Sequence, residues 1–414
     1  MSPSPDREHF IPIYCRELVH QLLQNPALSK EERPLFRNFC KLVSARIHYD
    51  YHDHLEKLKR LYAPFDPDAD IDPDSDISLS DVTTPADRGE RLQALFREFE
   101  ALVRQANYRE LTRDELEEAL ELASLWGIRM DVDFSVFDRF AVFARGDTKQ
   151  VRRRRAPWKL FVEEAVEVPV YRRLAIILKL KPSRRLGSQV DTNSVLLKLF
   201  KDIPKPDLDM LLPGARVRMT NLDRGKIGLP LITGLGMAMW RMADDILGAL
   251  FRSGANPSLL LWGLATGAIG YGTRSLYNYL GTKQRYYLTL TQSLYHQSLD
   301  SNAGVFTRLL DEAEEQDACE VILGYYYLLR QDALNLEWTV EDLDKEIENY
   351  LYEHFHCKVD FDVKDAVRKL ERLRLVVVTG GKYRALPLPE ALKELDHQWD
   401  NFFRFNERLD GVEA

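Results

Sequence analysis

The segment HYDYHDH, His48 to His54, concentrates the side chains best suited to bind a metal. On a helix His48 and His52 share a face at i, i+4, as do Asp50 and His54, and that spacing lets two imidazoles reach one ion. A third ligand would have to come from elsewhere, with Glu8, His9 or the following acidic loop as sources. In that loop, APFDPDADIDPDSDISLSD, residues Asp70, Asp72, Asp74 and Asp81 fall at positions 1, 3, 5 and 12 of a calcium-loop template. Position 6 is Ser75 where the sharp turn needs glycine, and the closing acid is Asp where the template has Glu. A solvated helix face and a solvated linker are the commoner uses of such residues. His48, His52, Asp70, Asp72 and Asp74 therefore stand as weak candidate ligands, and no cofactor is assigned. His354, His356 and Cys357 cluster at an expected helix end without a second half, so capping and packing are the expected roles. No glycine-rich phosphate loop, GxSxG, HExxH or SxxK occurs. With no nucleophile–base pair signalled, the chain reads as non-enzymatic, and a divalent-metal-dependent enzyme is a minority alternative.

The remaining candidate chemistry is electrostatic. Between Lys149 and Arg185 there are twelve Lys/Arg against Glu163, Glu164 and Glu167. Arg152, Arg153, Arg154, Arg155 and Lys159 are the expected contacts to anionic lipid or phosphate, with a solvated sheet edge as the bland use. A second basic set is Lys364, Arg368, Lys369 and Arg372 on an expected helix, with Lys382 on a hairpin. From Asp311 onward 25 acids face 13 bases, and DEAEEQD and EDLDKEIE precede that basic helix. Repulsion from this acidity favours protein–protein use over DNA reading.

These residues sit in a chain of 414 residues with a net charge of −8, 45% hydrophobic and 29% charged. That is an ordinary globular composition, and it argues against a surface coated with basic charge for nucleic acid. Cys15, Cys40, Cys319 and Cys357 form no CxxC pair, so a reducing compartment is expected and a disulfide framework is not. The opening MSPSPDREHF lacks the basic and then apolar run of a cleaved signal.

Residues 9–63 are helical, with a capping box at Ser29/Glu32, and helices resume at 87–109 and after Thr112, which pairs with Glu115. From Trp126 the pattern turns to strands: MDVDFSVF, RFAVFARGD, VEVPVYRRLAIILKLK and SVLLKLF, interrupted at Gly-Asp and Pro, with the arginine run on a turn or edge. Lys201 to Pro230 is an ordered connector, and a Tyr-rich helix is expected from Arg274 to about Leu299. Helices near 311–330 and from Thr339 to Phe355, a strand CKVDF, a helix from Val363 to Leu373 and a Gly380-Gly381 hairpin follow. That is the order of a winged helix-turn-helix module, closed by a helix over 388–408. The expected fold class is mainly α with a small central β-sheet (α+β), an apolar helical hairpin and a C-terminal winged helix-turn-helix-like module.

The apolar hairpin rests on two uncharged runs, Ile227–Trp240 and Ser253–Thr273. Ile227, Leu231, Leu235 and Trp240 line the first, and Leu259, Leu260, Leu261, Trp262, Gly263, Gly267 and Ile269 the second. Gly263 and Gly267 have the spacing that lets apolar helices approach closely, and basic residues flank both outer ends. Full spanning needs about 20 apolar residues, and Asp244 and Asp245 would each cost about 3 kcal/mol at membrane depth. A shallow re-entrant or interfacial hairpin with both ends cytoplasmic fits these runs better than two full spans.

Four stretches, FDPD, SVLLKLFKDIPKPDLDMLLPGARVRM, LDRGKIGLP and LDSNAGVFTRLLDEAEEQDACEVILGYYYL, together resemble the transmembrane protein 143 family, from about Phe10 to about Leu388. The resemblance implies a membrane protein with a pair of apolar helices after GKIGLP, and no catalytic residues to carry over. The expected organisation is an N-terminal helical region (1–65), an acidic loop (66–86), an α+β domain with the basic patch (87–226), the hairpin and following helix (227–300), the winged-helix-like domain (301–388) and a C-terminal helix and tail (389–414). The expected function is a membrane-associated, non-enzymatic protein on the cytoplasmic face, of a bacterial inner membrane or of a mitochondrion. Its partners would be anionic membrane lipids and an unknown protein, and the alternative is a soluble nucleic-acid-associated regulator using the winged helix and Arg152–Arg155.

Overall fold

The computed structural model describes residues 7–69, 85–121, 129–155, 163–183, 191–213, 216–218, 296–333, 339–379 and 382–402. The N-terminal helices are α1 (Cys15–Gln24), α2 (Glu32–Tyr62), α3 (Pro85–Gln105) and α4 (Arg113–Glu121). Before α2 the amide of Ser29 donates to the Glu32 carboxylate at 2.9 Å, while the Glu32 amide donates to Ser29 Oγ at 3.2 Å. Thr112 and Glu115 make the same reciprocal pair at the start of α4. Both caps satisfy amides that a helix start leaves open.

An antiparallel five-stranded sheet follows, in the order β1-β3-β4-β5-β7. Its strands are β1 (Arg109–Glu110), β3 (Phe137–Arg155), β4 (Glu163–Leu180), β5 (Val195–Pro204) and β7 (Ser298–Ser301). A separate pair joins β2 (Arg129–Asp131) to β6 (Arg216–Arg218). Alternation sends Phe143, Ala175, Ile177, Leu197 and Leu199 to one face, packed with the helical core. Val142, Ala144, Leu174, Ile176 and Leu178 go to the other, against Leu116 and Ala119 of α4 and Leu208. The sheet is thus a middle layer between helices.

Central to the larger layer is α5 (Ala303–Ala333), followed by α6 (Val340–Phe355), α7 (Val363–Arg372), the hairpin β8 (Val376–Thr379) and β9 (Lys382–Ala385), and α8 (Leu388–Asp400). Residues 316–328 of α5 are all buried, which an isolated amphipathic helix never achieves. The mixed α and β architecture matches the expectation from sequence.

Several boundaries differ. Gly-Asp does not interrupt the sheet: β3 runs straight through Gly146, which takes φ +73°. A Cβ there would meet the Arg172 side chain at 3.0 Å, so glycine lets the strand continue. The expected strand CKVDF shrinks to one parallel bridge, Val359 to Glu8, because its partner is the N-terminal segment and not the hairpin. Helix α5 begins well before residue 311, and Leu299, expected to end a helix, lies in β7. The reason is local: β7 is held by β5, and Asn302 at φ +52° turns the chain directly into α5.

Between adjacent strands β5 and β7 the chain makes a long excursion. It leaves the sheet at Pro204, forms a 3-10 helix (Lys205–Leu211) and β6, and returns at Ser298, which pairs with Phe200. All eleven hairpin residues from Ile227 to Ile269 fall in this excursion and lie outside the described residues. Among the described residues no helix is long and apolar enough to cross a membrane.

Candidate functional site

The run DEAEEQDACE in α5, expected as an acidic surface, points largely inward. Glu312 accepts from Tyr108 Oη at 2.7 Å and pairs with Arg145 at 2.7 Å and Arg173 at 3.2 Å. Arg145 is itself buried, donates to the Ala106 carbonyl and lies over the rings of Phe10 and Tyr108. One turn on, Glu315 accepts from the Cys15 amide at 2.9 Å, and Gln316 bonds both the amide and the carbonyl of Ile11. Asp317 accepts from Tyr51 Oη at 2.9 Å. Lys369 of α7 then meets Asp317 and Glu320, each at 2.5 Å, and Asp365 at 2.7 Å. A single polar spine therefore ties α5 to the N-terminal segment, α2, the sheet and α7.

Its electrostatics follow from burial. Glu320 is pushed up to about 7, because burial outweighs the favourable Lys369 ammonium and Asp317 adds repulsion. For Lys369 burial acts downward, but the Glu320 and Asp317 carboxylates overcome it and raise the ammonium above its ordinary value. Burial, then Glu312, raises the Tyr108 phenol. Burial, then Asp317, does the same to Tyr51. A carboxyl that titrates near neutrality can hold or release a proton. Here its neighbours are protein groups, and a cleft of about 430 Å³ among the described residues lies elsewhere, between α2 and α8, lined by Asn38, Lys41, Leu42, Leu392, Lys393 and Asp396.

The residues singled out from sequence scatter. His48 is exposed and pairs with Glu314 at 2.8 Å, His52 is exposed, and Asp70, Asp72 and Asp74 lie outside the described residues. Among the described residues no three His, Cys, Asp or Glu side chains group to hold a metal. Arg152 to Arg155 end β3, where the register sets Arg154 across from Glu164 and Arg155 across from Glu163. Lys159 lies outside the described residues. Lys364, Arg368 and Arg372 are exposed on α7 and Lys382 on β9, whereas Lys369 is turned into the spine. Lys369 is thus corrected from an outward contact to an internal ion pair: helical spacing puts it beside Asp317 and Glu320.

Sequence reasoning missed Glu312, Asp317 and Glu320 as internal groups. The signal that could have found them is the uncharged run directly after them, Val321 to Leu329, which must be enclosed and so encloses the turns leading into it. Arg145 and Tyr108 carried no such mark.

A family model described as a protein of unknown function (DUF3754) matches residues 141–304, from β3 through the excursion to the first turn of α5. No solved structure matches the chain.

Proposed function

We propose that this chain is a membrane-associated, non-enzymatic protein, anchored by the apolar hairpin around Trp240 and Trp262 and presenting its C-terminal module to a protein partner. The observation that carries the reading is topological. The excursion that bears both apolar runs leaves and re-enters the sheet on neighbouring strands, β5 and β7. Its two ends therefore start from one place, as a hairpin with both ends on one side of a bilayer requires. The basic residues Arg216 and Arg218 stand at its entry, where the positive-inside preference would set them on the cytoplasmic face. The likeness of SVLLKLFKDIPKPDLDMLLPGARVRM and LDRGKIGLP to the transmembrane protein 143 family points the same way.

For the module, the order α5, α6, the Val359 bridge, α7 and the β8–β9 hairpin supports a winged-helix-like reading. Helix α6 carries six carboxylates and one lysine, and Tyr352 on it is 52% exposed. An acidic helix with an exposed aromatic suits a protein partner better than a phosphate backbone.

Cell fractionation followed by an alkaline carbonate wash tests the anchor. The protein is expected to stay with the membrane pellet through the wash. Recovery in the soluble fraction before any wash overturns the reading.

A further inference from the structure

Cys15 opens α1 and Cys319 lies within α5, and both thiols are free. The fold brings them together. The Cys15 amide donates to the Glu315 carboxylate at 2.9 Å, and Glu315 stands one turn before Cys319 on the same face of α5. Gln316 holds the amide and the carbonyl of Ile11, and Cys319 Sγ lies 4.0 Å from the Ile13 carbonyl oxygen. The Cys15 and Cys319 thiols are in hydrogen-bonding contact, and this contact, with burial next, holds the Cys319 thiol well above its ordinary value. Exposure separates the two. Cys15 is half-buried beside Tyr14, which is 71% exposed, whereas Cys319 is fully enclosed. The other cysteines stand differently: Cys40 is buried on α2, and the Cys357 thiol donates to the Phe355 carbonyl at 3.3 Å. Buried thiols commonly pack as small apolar side chains. A pair with one sulfur open to solvent and the other shielded behind it also suits a thiol that meets an oxidant and a neighbour that resolves it.

We propose that Cys15 and Cys319 form an oxidation site, at which a hydroperoxide converts the two thiols into a disulfide that fastens α1 to α5. In the first step the Cys15 thiolate attacks a peroxide oxygen, the O–O bond breaks, and the departing oxygen takes a proton, leaving Cys15 as a sulfenic acid. In the second the Cys319 sulfur attacks the Cys15 sulfur, the S–O bond breaks, and the leaving hydroxide takes the Cys319 proton as water. Two thiols give up two electrons, and hydrogen peroxide becomes two waters. Burial keeps Cys319 protonated and away from the oxidant, so it acts only after Cys15 has reacted. A reducing environment returns both thiols, which makes the bridge a response and not a fixed staple. The site goes beyond the membrane reading, since neither residue belongs to the apolar runs or to the basic patch.

The test uses the full chain, reduced, freed of reductant and treated with hydrogen peroxide. Remaining thiols are then alkylated in denaturant and the peptides mapped by mass. Of the four alkylatable thiols two are expected to disappear, with Cys15 and Cys319 recovered as one linked pair that dithiothreitol restores. The oxidised protein should melt several degrees higher than the reduced one, a rise that Cys15→Ser abolishes. Cys319→Ala should stop Cys15 at a sulfenic acid that dimedone labels, whereas Cys40→Ala should bridge as the parent does. A link from Cys15 to Cys40, a link between two chains, or Cys15 left alkylatable under conditions that oxidise Cys357 overturns the site. Because Cys319→Ala opens the core, Cys15→Ser gives a second check: Cys319 should then stay reduced, and its oxidation in that variant overturns the order of the two steps.

Discussion

Glu320, Asp317 and Asp365 share one ammonium, that of Lys369, in a setting where the side chains of Lys369 and Asp317 are 14% and 7% exposed. Because burial raises Glu320 to about 7, its protonated form is favoured by the fold relative to the unfolded chain. The stability this contributes is complete below the ordinary carboxylate pKa of about 4.3 and is lost as pH rises through about 7. Glu320→Gln removes that loss. Urea unfolding at pH 5 and pH 8 should show the variant gaining on the wild type by roughly 3 kcal/mol at the higher pH, and parallel behaviour at both would refute the assignment. Lys369→Met strands three carboxylates and should cost about 3–5 kcal/mol at pH 8. In an Asp317→Asn, Glu320→Gln background the same change should cost far less, a coupling that a double-mutant cycle reads directly.

Among elements, α5 dominates, because each of its sides meets a different neighbour. Its first turn lies close to Asp300, whose carboxylate accepts from the Ser301 amide at 2.9 Å and packs against Gly304. A Cβ at residue 304 would displace that carboxylate, so Gly304→Ala should cost the Asp300–Ser301 contact, about 1 kcal/mol, and cancel what alanine gains over glycine in a helix. An Asp300→Ala background should relieve most of this cost, and thermal unfolding of the four proteins checks it. Helix α6 begins with a reciprocal cap: the Asp342 amide donates to Thr339 Oγ1 and the Thr339 amide donates to the Asp342 carboxylate. Thr339→Ala should cost about 1 kcal/mol in denaturant unfolding, and no loss would mean that α6 is held by packing alone.

At the scale of the whole molecule, one continuous core runs from Ile11 through Phe36 and Phe39 of α2, the inner sheet face and α5 to Leu395 of α8. The excursion after β6 interrupts this core in sequence without dividing it in space, since β5 and β7 pair across the gap. Replacing residues 219–295 with a Gly/Ser linker of about 12 residues, which reaches roughly 20 Å, should therefore leave a folded body. That body is expected to keep the cooperative unfolding of the parent and to leave the membrane pellet. A truncated protein that folds yet still pellets with membranes would move the anchor to other parts of the chain.

Local patterns were enough to read several features from sequence. Caps at Ser29 and Thr112, the strand alternation of β3 to β5 and the Gly380-Gly381 hairpin each depend on residues within a few positions of one another. Their chemistry is short-range, so type and spacing determine it. The direction in which DEAEEQD faces was decided only by the tertiary structure. Whether a carboxylate is solvated or buried depends on what the rest of the chain brings to it, and its partners Arg145, Tyr51 and Lys369 come from three distant segments. The same holds for Val359, which pairs with Glu8 across almost the whole chain length. Long-range pairing carries no periodicity of its own, so only the packed molecule reveals which polar side chains are internal and which remain free to meet a membrane or a partner.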